Sequence, residues 1–401
     1  MAVGSGQDGK LPLGALLALA MTGFICIVTE TLPAGLLPEI GRGLEVSPSL
    51  AGQMVTVYAL GSLLAAIPLT IATQGWRRRT VLLLTVVGFL VFNSATALSS
   101  NYWLTLIARF FAGVSAGLAW SLIAGYARRM VAPRLQGRAL AVAMVGTPIA
   151  LSLGVPLGTW LGGFMGWRMA FALMSGLTLV LIAWVLIKVP DYPGQSSRQR
   201  LALRQVLFTP GVRSVLAVVF TWMLAHNILY TYIAPFVAKA GLASQVDRVL
   251  LAFGVAALAG IWLTGQLVDR HLRMAVLASL ATFAAVAIFM GLFSGSAAAV
   301  YTGVFLWGLS FGGAATLLQT ALADAAGEGA DVALSMNVVV WNSAIAGGGV
   351  LGGVLLDQWG VVAFPSVLLV LLLLSLAIAF RARVHGFPRG HRRSGQVIAG
   401  H

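Results

Sequence analysis

Charge is scarce in this chain. Only 9% of its 401 residues are Asp, Glu, Lys or Arg, where a soluble globular chain carries about 25%. With 59% hydrophobic residues and a mean hydropathy of +0.94, the water-soluble class is excluded and a polytopic membrane protein is implied. Cysteine is nearly absent. The single Cys26 excludes an internal disulfide framework and any multi-cysteine metal site, and it reads as a small apolar residue packed in a helix. Acidic residues number 11 against 25 basic ones, a net charge of +14. In a soluble protein that excess would suggest nucleic acid or anionic partners; here the basic residues read as topology signals, and no nucleic-acid partner is expected. The phosphate loop G-x-x-x-x-G-K-[ST], the H-E-x-x-H helix and paired-cysteine motifs are all missing, and the pattern G-x-S-x-G occurs only inside apolar runs, at Gly113–Gly117 and Gly308–Gly312. Their absence argues against ATP-driven pumping and against an enzyme, and neither cofactor nor metal is expected. The first residues are polar and Gly-rich with one lysine, Lys10, and no small-residue cleavage site follows the first apolar run. No cleavable signal peptide is expected, so the first span stays in the membrane.

What the chain does have is apolar runs. Windows of about 20 apolar residues can be laid down twelve times, at 12–38, 49–72, 80–99, 102–126, 136–160, 167–188, 211–238, 246–268, 273–293, 297–323, 332–356 and 360–382. The longest connection, 189–210, is polar and basic and separates six spans from six. The expected organisation is a six-helix bundle over 1–188, a cytoplasmic linker over 189–210, a second six-helix bundle over 211–384 and a disordered tail over 385–401. With both termini cytoplasmic, the inner loops and tail hold Lys10, Arg77, Arg78, Arg79, Arg128, Arg129, Arg134, Arg138, Lys188, Arg198, Arg200, Arg204, Arg213, Arg270, Arg273, Arg381, Arg383, Arg389, Arg392 and Arg393. The outer side holds only Arg42, Arg168, Lys239 and Arg248. That bias sets the expected orientation. One inner loop runs the other way, with Asp324, Glu328 and Asp331 and no basic residue; acidic residues contribute little to topology. An internal echo marks the same halves: Gln74-Gly75-Trp76-Arg77-Arg78 follows span 2, and Gly265-Gln-Leu-Val-Asp269-Arg270-His-Leu-Arg273 follows span 8. Two six-helix halves around a midplane cavity is the architecture of many secondary transporters.

Two charges lie deep inside the spans, Glu30 in span 1 and Arg109 in span 4. A charge at bilayer depth costs at least about 2.5 kcal/mol on insertion scales, so intramembrane ionisable groups are functional candidates by default. Glu30 stands ~27 Å from the inner start of its helix and Arg109 ~10 Å from the outer start of its own, at 1.5 Å per residue. Both fall in the middle to outer half of the bilayer, and an ion pair or a shared cavity is geometrically open to them. Two readings stand: a fixed pair that holds helices together, or a carboxyl that exchanges a proton while Arg109 and substrate compete for it. In span 7, His226-Asn227 precedes Tyr230-Thr-Tyr232-Ile-Ala-Pro235. A histidine titrates near neutral pH, and tyrosines beside a proline break can line a polar cavity. Further cavity candidates are Gln53, Gln319, Asn337 and Asn342, together with Trp120 and Trp341, which lie too deep for interfacial anchors. Small residues recur at three- and four-residue spacings around Gly113, Gly154, Gly308 and Gly348, where they permit either static close packing or sliding helices.

These residues resemble the major facilitator superfamily across essentially the whole chain. Gly265-x-Leu267-x-Asp269-Arg270-x-x-Arg273 is similar to that superfamily's signature loop, and Arg109-Phe-Phe-Ala-Gly113-Val-Ser-Ala-Gly117 to its span-4 motif, whose arginine is implicated in proton coupling. Gly154-Val-Pro156-Leu-Gly158, followed by Gly162-Gly163 and Gly166-Trp167-Arg168, resembles the span-5 helix-bend motif of drug/proton antiporters. Thr29-Glu30-Thr-Leu-Pro-Ala-Gly35 and His226-Asn-Ile-Leu-Tyr230-Thr-Tyr232 are similar to bacterial sugar-efflux and purine-nucleoside-efflux permeases. The resemblance implies a monomeric inner-membrane exporter that exchanges a small molecule for protons by alternating access, with Arg77, Arg78, Gly265, Asp269, Arg270 and Arg273 in gating loops. One position departs from the pattern: Thr73 stands where the first signature loop has the aspartate that helps latch the gate. A proton- or solute-coupled uptake permease is the alternative. A non-transporting receptor or scaffold is a weaker one, because a tail of about twenty residues is too short for a signalling domain.

Overall fold

The structure, a computed structural model, describes residues 11–132, 135–194 and 203–388. Among these residues there is no strand. Eleven helices are long and apolar enough to cross a membrane. One of them, Val246–Phe293, has 48 residues, a length of about 72 Å at 1.5 Å per residue, against a hydrocarbon core of ~30 Å. Its backbone leaves helical geometry at His271 (φ −133°, ψ 34°), and that break makes it two spans. Twelve membrane helices result, as the apolar windows predict.

Contacts divide the chain into two compact units, Met1–Arg198 and Gln199–His401. The first holds α1 (Leu13–Gly35), α2 (Pro48–Ala72), α3 (Arg78–Leu98), α4 (Tyr102–Arg129), α5 (Arg138–Met165) and α6 (Trp167–Lys188). The second holds α7 (Val212–Thr231), α8 (246–270), α9 (272–293), α10 (Ala297–Gly312, resuming after Gly313 as Ala314–Ala326), α11 (Ala330–Trp359) and α12 (Phe364–Arg381). Polar caps start several of them. The Ser47 hydroxyl accepts from the Leu50 amide, the Asn101 side chain from Leu104 and the Ser296 hydroxyl from Ala299, each satisfying an N–H that the first turn leaves open. Corresponding sharp turns join α5 to α6 at Gly166 (φ 93°) and α11 to α12 at Gly360 (φ 70°), a backbone region that a side chain disfavours.

Proline shapes three helices. Pro33 sits in the last turn of α1, which breaks at Leu36 before a short amphipathic helix, Leu37–Leu44. Tyr232 (φ −110°, ψ 31°) interrupts the seventh span, so its expected stretch to 238 is α7 plus a separate helix, Ile233–Ala238, which carries Pro235. In α5 the turn Ala150–Gly154 is wound as a π-helix just ahead of Pro156. A proline offers no N–H and crowds the carbonyl four residues back, and a widened turn relieves both.

Helix pairs in the two units repeat one another. In the first, a Cβ on Gly113 of α4 would run into the Tyr58 carbonyl of α2, and one on Gly117 into that of Ser62; in the second, a Cβ on Gly308 or Gly312 of α10 would meet Phe253 or Ala257 of α8. The third pair is α7 with α11, where Tyr232, fully buried, donates its hydroxyl to the Gly349 carbonyl at 2.6 Å. Tyr232→Phe should therefore lower stability by about 1 kcal/mol, read as a drop in the thermal midpoint of the purified protein with transport retained.

The ends of the expected linker and tail are not free chain. Residues 190–194 pack on the first unit, and Leu203–Leu207 forms a short helix. Phe387, placed in a disordered tail by the sequence reading, is 1% exposed and its carbonyl accepts from Arg273; an apolar ring next to a helix end buries readily. The rest of the expected tail, 389–401, lies outside the described residues, as do Lys10, Arg134, Arg198 and Arg200.

Candidate functional site

In the first unit a polar cluster forms around the middle of α1. Glu30 is 7% exposed and Arg109, from α4, is fully buried. They do not form an ion pair. Instead the Arg109 guanidinium donates from Nη2 to the backbone carbonyl of Glu30 and from Nε to that of Met54 in α2, each at 3.3 Å. Its Nη1 has no hydrogen-bond partner. Two rings face it, Tyr58 at 4.8 Å and Phe171 of α6 at 5.5 Å. A desolvated cation is costly, and carbonyl dipoles with ring faces are the compensation offered here. The Tyr58 hydroxyl in turn donates to the Cys26 carbonyl at 2.9 Å. One turn of α1 is thus gripped from α2 and α4 through its backbone, which leaves the Glu30 carboxylate without a hydrogen bond. Such a carboxylate can take and give up a proton without first breaking a bond.

Asn93 of α3 completes the cluster. Fully buried, it donates from Nδ2 to the Thr29 hydroxyl at 3.0 Å, while its Oδ1 has no partner. Tyr58, Asn93 and Phe171 are not among the residues that the sequence marks as candidates. Asn93 had a signal, as the one amide within the apolar α3; the two rings had none, because rings are ordinary core residues.

In the second unit His226 stands in an aromatic nest. Its ring stacks on Phe311 of α10 at 3.5 Å and 3°, with Tyr230 at 5.2 Å, Trp307 at 5.2 Å and Phe253 at 5.8 Å. The His226 Nδ1 and the Trp307 Nε1 have no partner. The remaining cavity candidates scatter. Asn227 and Asn342 donate back to their own helices, to Met223 and Val338. Gln53 donates to the Ser49 carbonyl. Asn337 is buried with its Oδ1 unpartnered, Gln319 is exposed, and Trp120 and Trp341 are half-buried, with the Trp120 ring over Gly23 of α1. Tyr232 belongs to helix packing rather than to any cavity wall.

The helix-bend residues have a partner too. A Cβ on Gly154 would meet Phe24 and Val28, and one on Gly158 would meet Leu32, so the bent α5 lies directly on the face of α1 next to Glu30. The gating-loop residues make contacts of their own. Arg77 pairs with Asp191, whose other oxygen accepts from the Arg79 amide at 3.2 Å; the Arg78 side chain donates to the carbonyls of Thr73 and Gln74. In the second unit Arg273 donates to the carbonyls of Ala379, Phe380 and Phe387.

The model of the Major Facilitator Superfamily matches residues 19–349. The chain belongs to the major facilitator superfamily. Relatives agree along nearly its whole length: the purine ribonucleoside efflux pumps NepI of Escherichia coli strain 536 and of strain K12 are each 31% identical over 377 residues, 92% of this chain and 94% of theirs. Among solved structures, a bacterial homologue of the human lysosomal transporter Spinster, crystallised inward-facing and unoccupied, matches with a TM-score of 0.66 at 12% identity, covering 94% of this chain and 97% of its own. That match concerns the fold. As a superfamily member this chain is a multi-pass membrane transporter of small molecules, and not an enzyme.

Proposed function

We propose that this transporter exports a nucleoside-like small molecule across the bacterial cytoplasmic membrane in exchange for protons, by alternating access. The 31% identity over 92% of the chain to purine ribonucleoside efflux pumps carries the substrate class and the direction. Two features of the structure support it. The aromatic nest of His226, Tyr230, Phe253, Trp307 and Phe311 suits a planar heterocycle, since rings pair by offset stacking and edge contacts. The Glu30 carboxylate, buried and without a hydrogen bond, suits a proton carrier. Arg109 supplies a fixed positive charge whose hydrogen bonds go to backbone, so it acts on Glu30 through space and stays in place while the proton comes and goes. The basic bias of the loops assigned to the inner side supports a topology with both termini in the cytoplasm, and the proposed working unit is a monomer.

Inside-out vesicles test this directly. With an acidified lumen, radiolabelled inosine should accumulate in vesicles carrying the protein, and a protonophore should abolish the accumulation. No gradient-dependent inosine flux, or flux only under the reversed gradient, would overturn the reading; a sugar or a lipophilic cation moving in its place would reassign the substrate class.

A further inference from the structure

The loop joining α2 to α3 is the counterpart of the turn joining α8 to α9. Aligned on the echo between the halves, Ile71 falls on Leu267, Thr73 on Asp269 and Arg77 on Arg273. The second unit has a carboxylate at this position and the first does not. The Thr73 hydroxyl only donates back to the Leu69 carbonyl at 2.7 Å, and the residue is buried.

What the two arginines hold is also equivalent. Arg273 lies at the start of α9 and binds the end of the sixth helix of its unit: the carbonyls of Ala379 and Phe380 in α12 and of Phe387 just beyond, with its guanidinium 5.6 Å from the Phe380 ring. Helix C-terminal carbonyls are the natural seat for a cation. Arg77 reaches the same place in its own unit, the chain leaving α6, and meets a carboxylate there, Asp191. The contact is not isolated. The Arg78 amide donates to the Tyr192 carbonyl at 2.8 Å, the Tyr126 hydroxyl of α4 to the Pro190 carbonyl at 2.7 Å, and Arg129 to the Pro193 carbonyl at 3.0 Å. The Tyr126 and Tyr192 rings meet edge-on at 5.7 Å, and Gly194 lies against Gly75 so closely that a Cβ there would overlap its backbone. Pro190–Gly194 is a strap across the ends of α2, α3 and α4.

We infer that Asp191 supplies to the α2–α3 loop the carboxylate missing at Thr73, and that it is a positioning residue for the transport cycle. The strap it anchors binds four helix ends into one body. When that body moves, the motion is transmitted whole; with the strap loose, the α2–α3 loop and the end of α6 move separately and the conformational step slows, while the buried residues that would touch substrate are unchanged. An exposed ion pair alone contributes little, and Arg77 is well exposed. The backbone bonds around Asp191 make this pair part of a network, where a pairwise deletion is felt more widely.

The inference rests in part on the inosine-export reading, so the test has two arms. In proteoliposomes, Asp191→Asn should lower inosine turnover about five-fold with KM unchanged, the scale of one ordinary net hydrogen bond, because the pair is solvent-exposed. Arg77→Gln should do the same, the double variant should be no slower than either, and Asp191→Asn with Thr73→Asp should recover the rate. Wild-type turnover in Asp191→Asn, a loss confined to KM, or multiplicative losses in the double variant would each overturn the assignment. The second arm needs no substrate. The thiol introduced by Val189→Cys, at a position 2% exposed at the head of the strap, in a Cys26→Ala background, should react faster with a maleimide when Asp191→Asn is added; equal rates would remove the strap even if wild-type protein moves inosine. If wild-type protein moves none, the substrate reading falls and this arm still judges the strap. Partial burial works to raise the Asp191 carboxyl, but the bonds from Arg77 and the Arg79 amide outweigh it and hold the group below the usual aspartate value. A lowered carboxyl keeps its contribution above its free value and loses it only as pH falls through the lowered one. Absolute labelling follows the thiolate fraction of the probe, but the ratio of the Asp191→Asn rate to the Asp191 rate should therefore stay constant from about pH 8 to about pH 5.

Discussion

Glu30→Gln protein, reconstituted with an imposed pH gradient, is expected to lose gradient-driven export by about 100-fold or more, the range for removing a positioned proton-transfer group. It should still exchange substrate across the membrane at equal pH on both sides. Glutamine keeps the shape of the side chain and removes only its ability to gain and lose a proton. Little else should change, because no hydrogen bond ends on the Glu30 carboxylate and the Arg109 bond goes to the residue's backbone carbonyl, which glutamine retains. The thermal midpoint of the variant should stay near wild type. These two readouts separate a proton carrier from a structural residue: a structural role would lower the midpoint and spare coupling. Coupled export at the wild-type rate would end the case for Glu30.

The second large effect is on folding. Gly113→Val should leave little monodisperse protein after extraction, seen as loss of the main peak in size-exclusion chromatography. A Cβ at 113 would overlap the Tyr58 carbonyl. Both partners belong to helix backbones, so no side chain can swing aside and α2 must move off α4. Overpacking costs about 1–3 kcal/mol, occasionally more, and here it compounds. Tyr58 also covers Arg109 and caps the Cys26 carbonyl, so parting the helices strips a buried cation of its compensation. Gly125→Ala on the same helix is the control. Nothing lies within 4 Å of a Cβ there, and that variant should behave as wild type.

Glu30 and Arg109 were legible in the sequence because a charge in an apolar run is expensive wherever it sits, and that cost needs no partner to be recognised. Their relationship was not legible. An ion pair was one of the geometries open to them, and the structure has the arginine on the backbone of Glu30. Rise per residue gives depth along a helix; whether a guanidinium reaches a carboxylate or a carbonyl depends on rotation about the helix axis and on neighbours from α2 and α6. The same limit hid Phe253 and Phe311, which become partners of His226 only when α8 and α10 close on α7. Asp191 read as one more polar residue of a linker.

The sequence by itself determined the number of membrane helices, the division into six and six, and the proline break in the seventh span. All three follow from local energetics: apolar transfer, backbone hydrogen bonding and the missing proline N–H. Only the tertiary structure decided which carbonyls hold Arg109, that the Glu30 carboxylate is left without a hydrogen bond, and that Asp191 accepts from Arg77 and the Arg79 amide more than a hundred residues away. Those outcomes depend on contacts between segments distant in the chain, whose energies no local window contains.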